Sequence, residues 1–183
     1  MKPKRAFADP HAGGALSAAG AAWPVKTLNP ADQRLLVVDD DASVREMLSR
    51  VLIGEGYSVS AAADGRAALE AAAATKFDLV LLDLNLPGEN GWEIFESLIA
   101  RDPLLAVIIV TARSNQLFTA LGAGVGALLE KPLDFTELVK TVSTLLAETA
   151  ETRQTRLAGH PTEFHHSHGQ PPATQLKKKW NKI

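Results

Sequence analysis

The stretch Phe77-Asp78-Leu79-Val80-Leu81-Leu82-Asp83-Leu84-Asn85-Leu86-Pro87-Gly88 decides the fold. Its first half is almost continuously apolar, as a strand buried on both faces of a parallel sheet must be. It ends in a carboxylate, Asp83, and then breaks at a Pro-Gly turn pair. Open α/β sheets bind their ligands beyond the carboxyl ends of the strands, so Asp83 sits where chemistry is expected. Three more runs end in the same way. Leu35-Leu36-Val37-Val38 leads into Asp39-Asp40-Asp41, Val107-Ile108-Ile109-Val110 into Thr111, and Ala127-Leu128-Leu129 into Glu130-Lys131-Pro132.

Amphipathic segments lie between these runs. In residues 43–53, Val44, Met47, Leu48, Val51 and Leu52 recur at helical spacing, and Ser43 with Glu46 forms a capping-box pattern. Residues 57–61 read as a short strand. Asp64 can cap a helix that runs to Ala74. Residues 90–100 carry Ile94, Phe95, Leu98 and Ile99 and stop before Asp102-Pro103. A weak helix follows at 115–121, and a last one starts at Asp134 with Leu138, Val142, Leu145 and Leu146 inward. Five β-α units in succession predict an α/β fold: a doubly wound, five-stranded parallel sheet of flavodoxin-like architecture. Right-handed crossovers then gather the strand ends at one edge.

Composition narrows the function. The chain has 183 residues, no cysteine and a formal net charge of −2. Disulfides, zinc-thiolate sites and thiol catalysis are excluded. Nothing resembles a membrane span, so no membrane partner and a cytoplasmic location are expected. Residues 1–32, rich in Ala, Gly and Pro, read as a flexible arm, and 33–148 as the folded domain. Residues 149–183 read as an extension of the last helix, then a flexible tail with histidines and four excess positive charges. Gly122, Gly124 and Gly126 follow a helix rather than open one, which favours a helix end over a nucleotide loop.

The strand ends suit phosphoryl chemistry. Asp39, Asp40 and Asp83 can hold magnesium, which prefers oxygen ligands and needs few from protein. A carboxylate can act as the nucleophile of an aspartyl phosphate. Lys131 can neutralise the transferring group, and Thr111 can hydrogen-bond it. Each residue alone has an ordinary reading: helix-capping aspartates, a strand-end threonine, a surface lysine.

Together the motifs at 35–41, 81–91, 110–112 (Val-Thr-Ala) and 131–132 (Lys-Pro) resemble the receiver domain of two-component response regulators. The resemblance implies that Asp83 accepts a phosphoryl group from a histidine kinase or phosphotransfer protein. It implies Mg2+ bound by Asp40, Asp83 and the carbonyl of Asn85, with Asp39 acting through water. It implies Thr111 as the switch hydroxyl, Lys131 as the phosphoryl's counter-ion and a cis bond before Pro132. Two features depart from the family. Leu128 stands where an aromatic residue is common, and the interval from Thr111 to Lys131 is short, which trims the fourth helix. The resulting expectation is a single-domain regulator, not an enzyme beyond its own phosphorylation and dephosphorylation. It would signal to an unknown output protein, with no direct nucleic-acid partner. The alternatives are a receiver-like scaffold that ignores phosphorylation, or a small aspartyl-phosphate phosphotransferase.

Overall fold

Alternation within each strand sends side chains to both sides of one sheet. The computed structural model describes residues 29–113, 115–158 and 164–167. After a short 3-10 turn at Pro30–Asp32, the order is β1 (Arg34–Val38), α1 (Ala42–Gly54), β2 (Ser58–Ala62), α2 (Gly65–Ala74), β3 (Leu79–Asp83) and α3 (Gly91–Arg101). It continues through β4 (Ala106–Thr111), α4 (Leu117–Gly122), β5 (Ala127–Glu130), α5 (Phe135–Ala147), α6 (Ala150–Leu157) and β6 (His165–Ser167). The strands lie in the order β2-β1-β3-β4-β5-β6, and every neighbouring pair is parallel.

One face of the sheet carries Leu36, Val38, Val80, Leu82, Val107, Ile109 and Leu128 against α2, α3 and α4. The other carries Leu35, Val37, Leu79, Leu81, Ile108, Val110 and Leu129 against α1 and α5. β3 and β4 are buried along their whole length, which explains their unbroken apolar sequence. The doubly wound parallel α/β fold is therefore as expected, with one correction: the described residues form six strands rather than five.

That sixth strand comes from the segment read as a tail. The last helix does not run on past residue 148. α5 ends at Ala147, Glu148 leaves helical geometry, and Thr149 caps a new helix by accepting from the Thr152 N–H. Arg153 and Arg156, counted in the tail's excess of positive charge, point inward. Arg156 is 4% exposed. Its guanidinium donates to the Gly124 carbonyl at 2.6 Å and to Glu148 at 2.9 Å. Arg153 donates to the carbonyls of Leu104 and Leu145. Burial lowers the Arg153 pKa, opposed in part by Glu148. α6 is thus clamped at the amino end of β4 and β5. Gly124 permits this approach: its φ is +72°, and a Cβ there would stand 3.1 Å from the Leu157 Cα.

Smaller corrections fall at helix ends. α1 is capped by Asp41, which accepts from the N–H groups of Ser43 and Val44, so the Ser43-Glu46 capping box is not the device used. Met47 and Ile53 face outward, and Leu48 and Leu52 carry the burial. α4 has six residues and no side-chain cap, as its short interval foretold. The expectations for residues 1–28 and for the histidines and lysines of the tail at 159–163 and 168–183 lie outside the described residues.

Candidate phosphoryl site at the carboxyl edge of the sheet

Register explains why distant residues converge. Val38 pairs with Leu82, so Asp39 and Asp83 leave adjacent strands at the same level. Val110 pairs with Asp83 and Thr111 with Glu130, which brings β4 and β5 to that level too. A backbone bond from the Lys131 N–H to the Thr111 carbonyl extends this ladder by one residue. The Lys131-Pro132 bond is cis.

Lys131 closes the site. Its ammonium lies 2.7 Å from Asp39 Oδ2 and 2.6 Å from Asp83 Oδ2. Asp39 and Asp83 are 1% and 2% exposed, so neither charge is compensated by bulk water. Burial pushes the Lys131 pKa down, but the hydrogen bonds it donates to the two carboxylates, with their negative charge, outweigh this and hold the pKa above the ordinary value. The other oxygens are used as well. Asp39 Oδ1 accepts from the Asp41 N–H, and Asp83 Oδ1 from the Asn85 N–H. Asp40 remains exposed, and its carboxylate completes a group with Asp39 and Asp83 whose ligand atoms lie within 4.8 Å of one another. This oxygen-only set suits a hard divalent cation such as magnesium.

The three consecutive aspartates therefore differ in role. Asp39 is buried and bound to Lys131, Asp40 faces the open side, and Asp41 caps α1. Thr111 is fully buried at the end of β4, and its hydroxyl accepts from the Arg113 N–H. Asn85 lies in the loop after Asp83, one residue beyond Leu84.

Two supporting residues escaped the sequence reading. Arg45 donates from one guanidinium nitrogen to the carbonyls of Asp39 and Asp40, at 2.7 and 2.8 Å. It pins the loop that presents both carboxylates. A cation one turn into a helix, just after an acidic run, was the available signal. Gln116 accepts from the Trp92 indole at 3.0 Å, which ties α3 to the start of α4. No sequence pattern announces that pair.

The match to known proteins is specific. A profile of the response regulator receiver domain fits residues 35–143. The chain belongs to this family. DNA-binding response regulator MtrA of Mycolicibacterium paratuberculosis is 45% identical over 112 residues, which are 60% of this chain and 49% of that protein. The chain thus spans about half the length of such relatives. Among solved structures, a CheY-like receiver from Methanospirillum hungatei superposes with a TM-score of 0.61 at 28% identity, over 67% of this chain and 97% of that one. The regulator TrrA of Thermotoga maritima, solved in complex with Mg(2+)-BeF, gives 0.58 at 32% identity, over 62% and 98%.

These relatives correct one expectation. A receiver without any nucleic-acid partner does not agree with matches that are themselves DNA-binding response regulators. The weak net charge misled, because it reports on this chain's own surface and not on the output a receiver controls. Among the described residues no helix is long and apolar enough to cross a membrane.

Proposed function

We propose that this receiver takes a phosphoryl group on Asp83 from the phosphohistidine of a kinase or phosphotransfer protein, in a magnesium-dependent step. The observation that carries the reading is the Lys131 ammonium held between two buried carboxylates, beside the exposed Asp40. In the transfer, an Asp83 oxygen forms a bond to phosphorus. The P–N bond breaks, and its electron pair leaves on the imidazole. Lys131 is positioned to follow the charge that develops on the phosphoryl oxygens. The Thr111 hydroxyl accepts from Arg113 N–H, which leaves its own proton to donate to one of those oxygens. Asp39, Asp40, Asp83 and Asn85 would hold magnesium, which supplies positive charge against the phosphoryl oxygens. The aspartyl phosphate carries up to about two negative charges where the free carboxylate carried one, a net gain of about one at this edge. That charge biases partner contact, and the relatives point to transcription control as the output served. The chain is not proposed to act on any other substrate.

A second reading, a scaffold indifferent to phosphorylation, draws on Leu128. It is fully buried and offers no group that could turn toward Thr111. One experiment separates the two. Incubation with acetyl phosphate and magnesium should add one phosphoryl mass to the protein and none to Asp83→Asn. Equal labelling of both proteins would refute Asp83 as acceptor, and no labelling of either would favour the scaffold.

A further inference from the structure

β6 is an improbable strand. His165-His166-Ser167 has no apolar alternation and no β-branched residue. Yet it pairs in parallel with Ala127, Leu128 and Leu129 of β5. Its hold on the sheet comes from its neighbours. Phe164, just before it, packs against the cluster that contains Leu128, with Leu117 and Ala123 of the α4 region. His166 Nε2 lies 3.2 Å from Glu130 Oε1. Upstream, Arg153 and Arg156 clamp α6 at the amino end of β5, so the chain leaves that helix beside the edge it later joins. A tether of this kind raises the local concentration of a weak ligand to the millimolar range or so, enough for a few residues to occupy a site they could not hold in solution. Strand addition to an open edge supplies the remaining main-chain bonds.

The same three residues of β5 that receive this segment lead directly to the phosphoryl site. Leu128 lies in the cluster that Phe164 joins, Glu130 meets His166, and Lys131 bridges Asp39 and Asp83. The docked strand belongs to the state in which Lys131 is held by two unmodified carboxylates. A phosphoryl group on Asp83 offers Lys131 new oxygens and draws on the end of β5 next to Glu130.

We propose that the outer edge of β5 is a strand-accepting surface whose resident ligand is the chain's own segment 164–167, and that modification of Asp83 loosens this segment through Lys131 and Glu130. The first half stands on the strand pairing alone, and the second rests on the reading of Asp83 as acceptor. Release uncovers the Ala-Leu-Leu edge, which an incoming strand can then use. Coupling is reciprocal, so a protein that captures the freed edge would also favour the modified state.

Hydrogen exchange on the full chain tests both halves. Without a phosphoryl donor, amides in 164–167 should exchange at least about tenfold more slowly than in a synthetic peptide of residues 160–169. Phe164→Asp should abolish that protection and speed exchange in β5, while Phe164→Leu keeps it and β1 and β3 stay protected in both. Peptide-like exchange of 164–167 in the unsubstituted protein overturns the strand-accepting surface. With magnesium and beryllofluoride, exchange of 164–167 should rise by about 5- to 150-fold, and Asp83→Asn should not respond. If acetyl phosphate adds its mass but protection of 164–167 does not move with the mimic, the coupling is refuted and Asp83 remains the acceptor. If no mass is gained, the acceptor reading fails and takes the coupling with it, while the protection measured without donor still decides the strand-accepting surface.

Discussion

The carboxyl edge of the sheet and its lateral edge at β5 are built in opposite ways. At the carboxyl edge, buried charges from β1, β3 and β5 satisfy one another through Lys131, and Arg45 fixes the loop that presents them. At the lateral edge, three polar residues pair with β5, Phe164 packs on the core beside them, and His166 meets Glu130. A stiff centre suits chemistry, where a small misplacement costs rate. A loosely held edge suits signalling, because elements that move come from the low end of local stability. Both share one sheet because the four-residue β5 runs into Lys131 at the carboxyl edge and carries β6 on its outer side.

The largest expected effects lie in the stiff half. Leu81→Ala removes a side chain that is 1% exposed in the central strand. It should cost about 3–4 kcal/mol of unfolding free energy. Phe164→Ala, at a partly buried position on the loose edge, should cost about 1 kcal/mol. Denaturant titration of both variants checks the contrast, and similar losses would mean that the edge is as firmly built as the centre.

Lys131→Met probes the charges themselves. It leaves Asp39 and Asp83 buried side by side without their cation. The loss should be about 2–3 kcal/mol, below the usual cost of breaking a fully buried pair because the ammonium is partly solvated. Magnesium should restore part of it, since a divalent cation can stand between the same oxygens. Thermal melts with EDTA and with magnesium measure this. A variant as stable as the parent in EDTA would show that water already screens the two carboxylates.

Arg156→Met addresses the tether. It removes the bonds to the Gly124 carbonyl and to Glu148. About 1–2 kcal/mol is expected, mainly from polar groups left without partners. The effect should be local: exchange should quicken in α6 and in 164–167 while β1, β3 and β4 keep their protection. Uniform acceleration would place α6 in the main cooperative unit.

This contrast also explains what the sequence could say. The strands that build the centre are buried on both faces, so burial is written into them as runs such as Leu79 to Leu82. The candidate site residues end those runs or follow them directly and are identifiable by position, and the structure does bring Asp39, Asp40, Asp83 and Lys131 together. The edge left no such record. β6 is three residues long, too short for periodicity, and its partner Phe164 is a lone aromatic in polar surroundings. Arg156 reads as a surface charge because the carbonyl it meets, on Gly124, lies 32 positions away and is a main-chain atom that no pattern reveals. The break between α5 and α6 was more accessible, since Thr149 precedes a polar helix in the manner of a cap.

The smallest expected effect separates structure from chemistry within the acidic run. Asp41 is fully exposed, and its pKa is lowered first by hydrogen bonds from the Ser43 and Val44 N–H groups. A carboxylate whose pKa is depressed on folding contributes stability that is present above its unfolded pKa and is lost as pH falls through the lower, folded value. Asp41 should therefore support α1 at neutral pH and cease to do so only in acid below the usual carboxylate range. Asparagine caps about as well as aspartate and does not titrate there. Asp41→Asn should then leave stability at pH 7 nearly unchanged and flatten the acid limb of the stability curve slightly, with phosphoryl uptake intact. Asp40→Asn should instead show a clear fall in magnesium-dependent uptake. Titration of stability between neutral and acidic pH, alongside phosphorylation by acetyl phosphate, places the two variants on one plot. If Asp41→Asn lost uptake as severely as Asp40→Asn, the division of labour among the three aspartates would be wrong, and Asp41 would belong to the ion's surroundings rather than to the helix.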